Sequence, residues 1–84
     1  MKMRGGEVDL IARRGRLVAF VEVKQRATAN AAGIALDRHR LRRVAIAAEQ
    51  LAPRYVRPGD DIRIDAIFIV PGRLPLHLTD VWQG

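Results

Sequence analysis

The 84-residue chain contains no cysteine, which excludes disulfide bridges, thiolate zinc sites and cysteine nucleophiles together. Aromatic residues are nearly as scarce. Phe20, Tyr55, Phe68 and Trp82 are scattered through apolar contexts, so a base-stacking platform for single strands is not expected and most should be core. Long apolar runs are missing too: the longest, of five residues as in Leu17 to Val21, are far too short to span a bilayer. The opening Met1-Lys2-Met3-Arg4-Gly5-Gly6 has no signal-peptide core, and a cytoplasmic protein without membrane contact is the expectation. Neither phosphate-loop pattern, G-x-G-x-x-G nor G-x-x-x-x-G-K, is present, so Gly5-Gly6 reads as a flexible entry to a strand. His39 and His77 stand alone, without neighbouring ligand residues.

Acids are outnumbered. Fifteen Lys+Arg, thirteen of them arginine, face nine Asp+Glu for a net charge of +6. The excess is uneven, since residues 1–57 carry +8 and residues 58–84 carry −2. A polyanion is the natural partner of such a field, which concentrates phosphates near whatever site the basic part holds. A chain this short buries only about 65% of its unfolded surface, so an exposed apolar face would be costly and a partner chain would help.

Residues Glu7 to Ala12 and Leu17 to Lys24 are rich in Val, Ile, Leu and Phe and flank a basic turn, Arg13-Arg14-Gly15-Arg16, which predicts a β-hairpin. Asp37 has the chemistry of a helix N-cap. Leu41, Val44, Ala45, Ala48, Leu51 and Ala52 then recur at helical spacing up to Pro53, predicting a helix from Arg38 to Leu51. Its opposite face carries His39, Arg42, Arg43, Ile46 and Gln50, a basic stripe whose single isoleucine marks an expected contact surface. Arg57-Pro58-Gly59-Asp60-Asp61 reads as a turn, Ile62 to Val70 as a buried strand, and Leu76 to Trp82 as a final strand. The order β-β-α-β-β predicts one α/β domain over residues 1–84, with a mixed sheet whose third strand runs parallel to its second through a right-handed crossover.

The hairpin also carries the chemistry. With a four-residue turn, Ala12 faces Leu17, Glu7 pairs with Glu22 and Asp9 with Phe20; residues two apart share a face, so Glu7, Asp9, Glu22 and Lys24 point the same way. Glu22 follows a segment apolar on both faces and is therefore partly desolvated. Carboxylates gathered there repel one another unless a cation compensates, and hard oxygens without His or Cys nearby favour Mg2+ or Mn2+ over zinc. The expected metal ligands are Asp9, Glu22 and Glu7, and the expected catalytic residues are Asp9, Glu22 and Lys24, the lysine orienting a water or stabilising a pentavalent transition state. Arg4, Arg13, Arg14, Arg16, Arg26, Arg38, Arg42 and Arg43 are the expected nucleic-acid contacts. The bland counterpart is a solvated hairpin face with a Glu22–Lys24 ion pair worth less than ~1 kcal/mol.

Arg4-Gly5-Gly6-Glu7-Val8-Asp9-Leu10-Ile11-Ala12 and Phe20-Val21-Glu22-Val23-Lys24-Gln25-Arg26 resemble the core of the YraN-like uncharacterised bacterial family, which is placed in the PD-(D/E)XK nuclease superfamily. The likeness continues through the helix from Asp37 to Leu51 into Arg63-Ile64-Asp65, similar to the family's Arg-x-Asp strand. It implies a restriction-endonuclease-like fold of the Holliday-junction-resolvase kind, with Asp9, Glu22 and Lys24 in the catalytic positions, and leaves open a role for Asp65 beside the site. Val8 stands where the superfamily's name has proline. Family members usually begin with a helix and strand ahead of Arg-Gly-Gly, so the expected core here lacks that helix, exposes an apolar face and forms a homodimer.

The leading expectation is thus a divalent-metal-dependent endonuclease acting on DNA or another structured nucleic acid. Its alternatives are a nucleic-acid-binding module without turnover and a small oligomeric interaction protein.

Overall fold

Two nine-residue strands pair in parallel, and the remaining elements are arranged around them. The computed structural model describes residues 1–28, 30 and 36–82. Short strands β1 (Lys2–Met3) and β2 (Gly6–Glu7) form a small antiparallel ribbon, followed by β3 (Leu10–Arg14), β4 (Leu17–Gln25), α1 (Arg38–Tyr55), β5 (Asp61–Ile69) and β6 (Leu76–Leu78). The main sheet has the order β3-β4-β5-β6, with β4 and β5 parallel and the outer pairs antiparallel. The mixed α/β sheet expected from the sequence is present.

Successive strand residues alternate between faces. On β4, Val18, Phe20, Glu22 and Lys24 share the face that α1 covers; Leu17, Ala19, Val21 and Val23 share the other. The core is a single cluster in which Leu41, Val44, Ala47, Ala48 and Leu51 of α1 pack on Val8, Val18, Phe20 and Ile64. Each fully buried leucine or phenylalanine contributes about 1.5–3 kcal/mol. Asp37 caps α1 as expected, its Oδ1 accepting from the His39 amide at 2.9 Å and the Arg40 amide at 3.4 Å.

The helix outruns the expected stop at Leu51. Pro53 lies in the last turn, where its missing amide costs one hydrogen bond, and the Val56 amide closes the end on the Ala52 carbonyl at 2.8 Å. Packing of Tyr55 and Val56 against the core favours the extra turn. The final strand is shorter than expected, because Asp80 turns with φ 54° and the Val81 amide donates to the Ile64 carbonyl instead.

The hairpin register also differs. Only Gly15 and Arg16 form the turn, so Arg14 pairs with Leu17, Ala12 with Ala19, and Ile11 with Phe20. Gly15 takes φ 60° at the first central position, a conformation glycine adopts without strain. Relative to a four-residue turn the pairing is displaced by two residues, and an even displacement leaves Leu10 to Arg14 on their expected faces. Arg13 fastens this hairpin to the end of α1 and to the next turn, donating to the Tyr55 carbonyl at 2.8 Å and to Asp60 Oδ2 at 2.6 Å.

The expected strand from Glu7 to Ala12 is interrupted. Val8 is 1% exposed, drawn under α1, and its amide donates to the Met1 carbonyl at 2.8 Å. This turns β2 away from β4 and onto β1. Gly6 is no flexible entry. A Cβ there would collide with the Arg43 carbonyl oxygen and lie 2.9 Å from the Ala47 nitrogen, so the ribbon packs on α1 backbone to backbone. Ile46 sits beneath Gly5, and Gln50 donates to the Arg4 carbonyl at 2.8 Å; the contact surface expected at Ile46 is with the chain's own first turn.

Two expectations follow. Gly6→Ala should lower stability by at least about 1–3 kcal/mol in urea denaturation, since backbone cannot yield to the added methyl. The Arg13 guanidinium and the Arg57 amide hold the Asp60 carboxyl at about 2, below its ordinary 3.8. Its stabilising effect is therefore complete above about pH 4 and lost as pH falls towards 2, and Asp60→Asn should flatten that part of a stability-against-pH curve.

Candidate active site

Strand regularity alone brings Glu22 and Lys24 together. They project from the same face of β4, with Lys24 Nζ 2.9 Å from Glu22 Oε1 and the side chains only 8% and 12% exposed. Asp9 arrives by a different device. It stands just before β3, where its amide donates to the Val21 carbonyl at 3.1 Å. Its carboxylate then takes the next place in the ladder, Oδ2 accepting the Val23 N–H at 2.8 Å. A side chain thus replaces the backbone acceptor that β3 does not supply, and it sits on the residue between Glu22 and Lys24.

The break at Val8 removes Glu7 from the ladder with β4 and pairs it with Lys2, yet it still borders Glu22. With Glu22, Arg40, Arg43 and Val44 it lines a cleft of about 10 Å³, room for roughly one water. Arg40, absent from the residues singled out in the sequence, reaches Glu22 Oε1 at 3.8 Å with its side chain 57% exposed. A signal was there: Arg40 precedes Val44 by four residues, so it shares the border of the buried stripe.

Among the described residues no three Asp, Glu or His side chains stand close enough to form a ligand cluster by themselves. Asp9, Glu22 and the Val23 carbonyl are the residues that could hold a divalent ion. Magnesium commonly binds through one or two carboxylates and keeps several waters, so this set fits in hardness and number.

The arginines expected to bind nucleic acid do not form one surface. Arg13 is committed to Asp60 and the Tyr55 carbonyl, Arg26 lies over the Phe68 ring at 5.7 Å, and Arg38 over Trp82 at 4.9 Å. Arg14 lines the uncovered face of the sheet, whereas Arg43 borders the cleft with the acids. Arg4, Arg16 and Arg42 are exposed.

Asp65 is on the wrong side to serve this site. It pairs with Val21, not Glu22, and faces away from α1. A cleft of about 300 Å³ opens there, yet its acid is already satisfied. Asp65 accepts two bonds from Arg63 at 2.8 and 2.9 Å, meets His77 Nε2 at 2.9 Å and accepts the Asp80 amide at 2.9 Å. Burial pushes its carboxyl up, but the bonds from Arg63, the Asp80 amide and His77 outweigh burial and hold it below the usual range. Both carboxylate oxygens are thus held by partners on that face of the sheet.

Residues 1–69, which include Glu7, Asp9, Glu22, Lys24 and Arg40, match the uncharacterised protein family UPF0102. The chain belongs to this family. A UPF0102 protein of Sphingopyxis alaskensis is 64% identical over 78 residues, spanning 93% of this chain and 67% of the relative. One of Rhizorhabdus wittichii is 57% identical over 84 residues, spanning 100% and 71%, and one of Erythrobacter litoralis 51% over 83, spanning 99% and 72%. This UPF0102 chain therefore covers about seven-tenths of the length of those relatives. No described helix is long and apolar enough to cross a membrane.

Removing one member of a buried pair strands the other charge. Lys24→Met should destabilise the fold by roughly 3–5 kcal/mol, towards the lower value because Arg40 already reaches Glu22. The double variant Glu22→Gln/Lys24→Met should regain most of that loss in urea denaturation.

Proposed function

We propose that this protein is a divalent-metal-dependent phosphodiester hydrolase acting on nucleic acid, with a restriction-endonuclease-like core. The observation that carries the reading is the Asp9 Oδ2 bond to the Val23 amide, which sets a second carboxylate beside the Glu22–Lys24 pair. An isolated surface ion pair would need no such neighbour.

Asp9 and Glu22 would supply the carboxylate oxygens and Val23 its carbonyl. The ion, Mg2+ or Mn2+, would polarise a phosphate oxygen and supply a water of lowered pKa. Lys24, held on the same face, directs its ammonium to the negative charge that builds up during attack on phosphorus. Arg43 adds positive charge at the cleft, beside Glu7.

The start of α1 supports an anionic partner. Stability favours acids at the positive end of a helix dipole, by about 0.3–1 kcal/mol each. The first turn of α1 has none and carries Arg38 and Arg40 instead. Asp37 caps this end, and the two arginines add positive charge beside it. The same feature favours the second reading, a nucleic-acid-binding module without turnover.

Cleavage of linear duplex DNA, four-way junctions and structured RNA separates the two. Product is expected with Mg2+ or Mn2+ and none with EDTA, and Asp9→Asn should lower the rate at least about a hundredfold. Asp9 is exposed, so that variant should fold normally. Salt-sensitive binding with no product in any cation would establish the module without turnover; activity unchanged in Asp9→Asn would refute the assignment.

A further inference from the structure

We propose that Arg40 is a displaceable counter-charge on Glu22, a positioning residue that yields the carboxylate to a divalent cation and is thereby freed to bind a nucleic-acid phosphate. This rests on the metal-dependent reading of the site and names how cation and substrate are coupled within it.

Three features single out Arg40. It shares Glu22 Oε1 with Lys24, but at 3.8 Å against 2.9 Å, so of the two cations it has the looser hold. Its side chain is 57% exposed whereas Lys24 is 8% exposed, so Arg40 can swing into solvent without uncovering core. With Arg40 in place the cleft beside Glu22, Glu7 and Arg43 measures about 10 Å³; that is space for one small species, not for a phosphodiester. Room for a phosphate in that cleft would require Arg40 or another lining side chain to move, and Arg40 is the exposed one of the two cations on Glu22.

The charge balance gives the direction. A cation arriving at Glu22 repels the guanidinium and offers the carboxylate more than Arg40 can, since that contact is 3.8 Å long and open to solvent on the arginine side. The released guanidinium remains on the first turn of α1, where the helix end also favours anions. Cation binding thus exposes a phosphate-binding group, and by linkage phosphate binding must favour the cation.

The test is a pair of titrations on the intact chain and on Arg40→Gln, with folding checked by thermal melting. Mn2+ binding is read by electron paramagnetic resonance, and duplex DNA binding by fluorescence anisotropy with and without Ca2+ as a substitute cation. Arg40→Gln should bind Mn2+ about two- to five-fold more tightly, because a competing cation is gone. Its DNA affinity should match the parent without cation and fall about five-fold or more with Ca2+. Mn2+ affinity unchanged or weaker in a folded Arg40→Gln, or equal DNA affinity in both chains with Ca2+, would overturn the proposal while leaving the metal-dependent reading intact. Failure of both readings has its own signature: parent protein that binds Mn2+ no better than Glu22→Gln does.

Discussion

Parallel pairing of β4 with β5 requires the chain to cross over between them, and α1 is that crossing. The nine matched residues, from Leu17 opposite Asp61 to Gln25 opposite Ile69, decide what lies beneath the helix and what faces away. Val18, Phe20 and Ile64 fill the space under Leu41, Val44, Ala48 and Leu51. Two steps further along β4 the same face carries Glu22 and Lys24, where apolar packing gives way to charge. The site is therefore continuous with the core, and Glu22 and Lys24 are positioned by the same ladder that stabilises the fold.

Charge is distributed by the same constraint. Near the sheet's hairpin end, Arg13 and Asp60 fasten the turn to the end of α1, and on the uncovered face Asp65 is saturated by Arg63, His77 and the Asp80 amide. These acids each have a cation and an amide, and both are held below their ordinary pKa. At the carboxyl end of β4 the arrangement is different. Two cations converge on one oxygen of Glu22, while the Asp9 carboxylate terminates the β3 ladder and Glu7 borders a cleft shared with two arginines. Binding sites in open α/β sheets gather at the carboxyl ends of parallel strands, and this is where the unequal partnerships are found.

Much of this was legible because strand periodicity is forgiving. A turn of two residues in place of four moves each hairpin partner by two. The side-chain period of two keeps Leu10 to Arg14 on their expected faces and Glu22 and Lys24 on one face, whereas Asp9, outside β3, is placed by its bond to the Val23 amide. The Asp37 cap and the Leu41–Leu51 stripe fixed α1 for the same local reason. Features that depend on approach between distant segments were not legible. The break at Val8 is set by its burial under α1, and the role of Gly6 by contact with the backbones of Arg43 and Ala47; neither leaves a mark on neighbouring residues. The face of Asp65 follows only from the β4–β5 register, and Arg40 gains its importance only when the helix start is laid beside Glu22.

The central claim is that Asp9, Glu22 and the Val23 carbonyl form one cation site next to Lys24. Crystals of the protein soaked in Mn2+ and measured for anomalous scattering test it directly. A strong anomalous peak is expected between the Asp9 and Glu22 carboxylates, within about 2.0–2.3 Å of an oxygen from each. A peak confined to other acids, or no peak at a Mn2+ concentration that saturates exposed carboxylates, would contradict it.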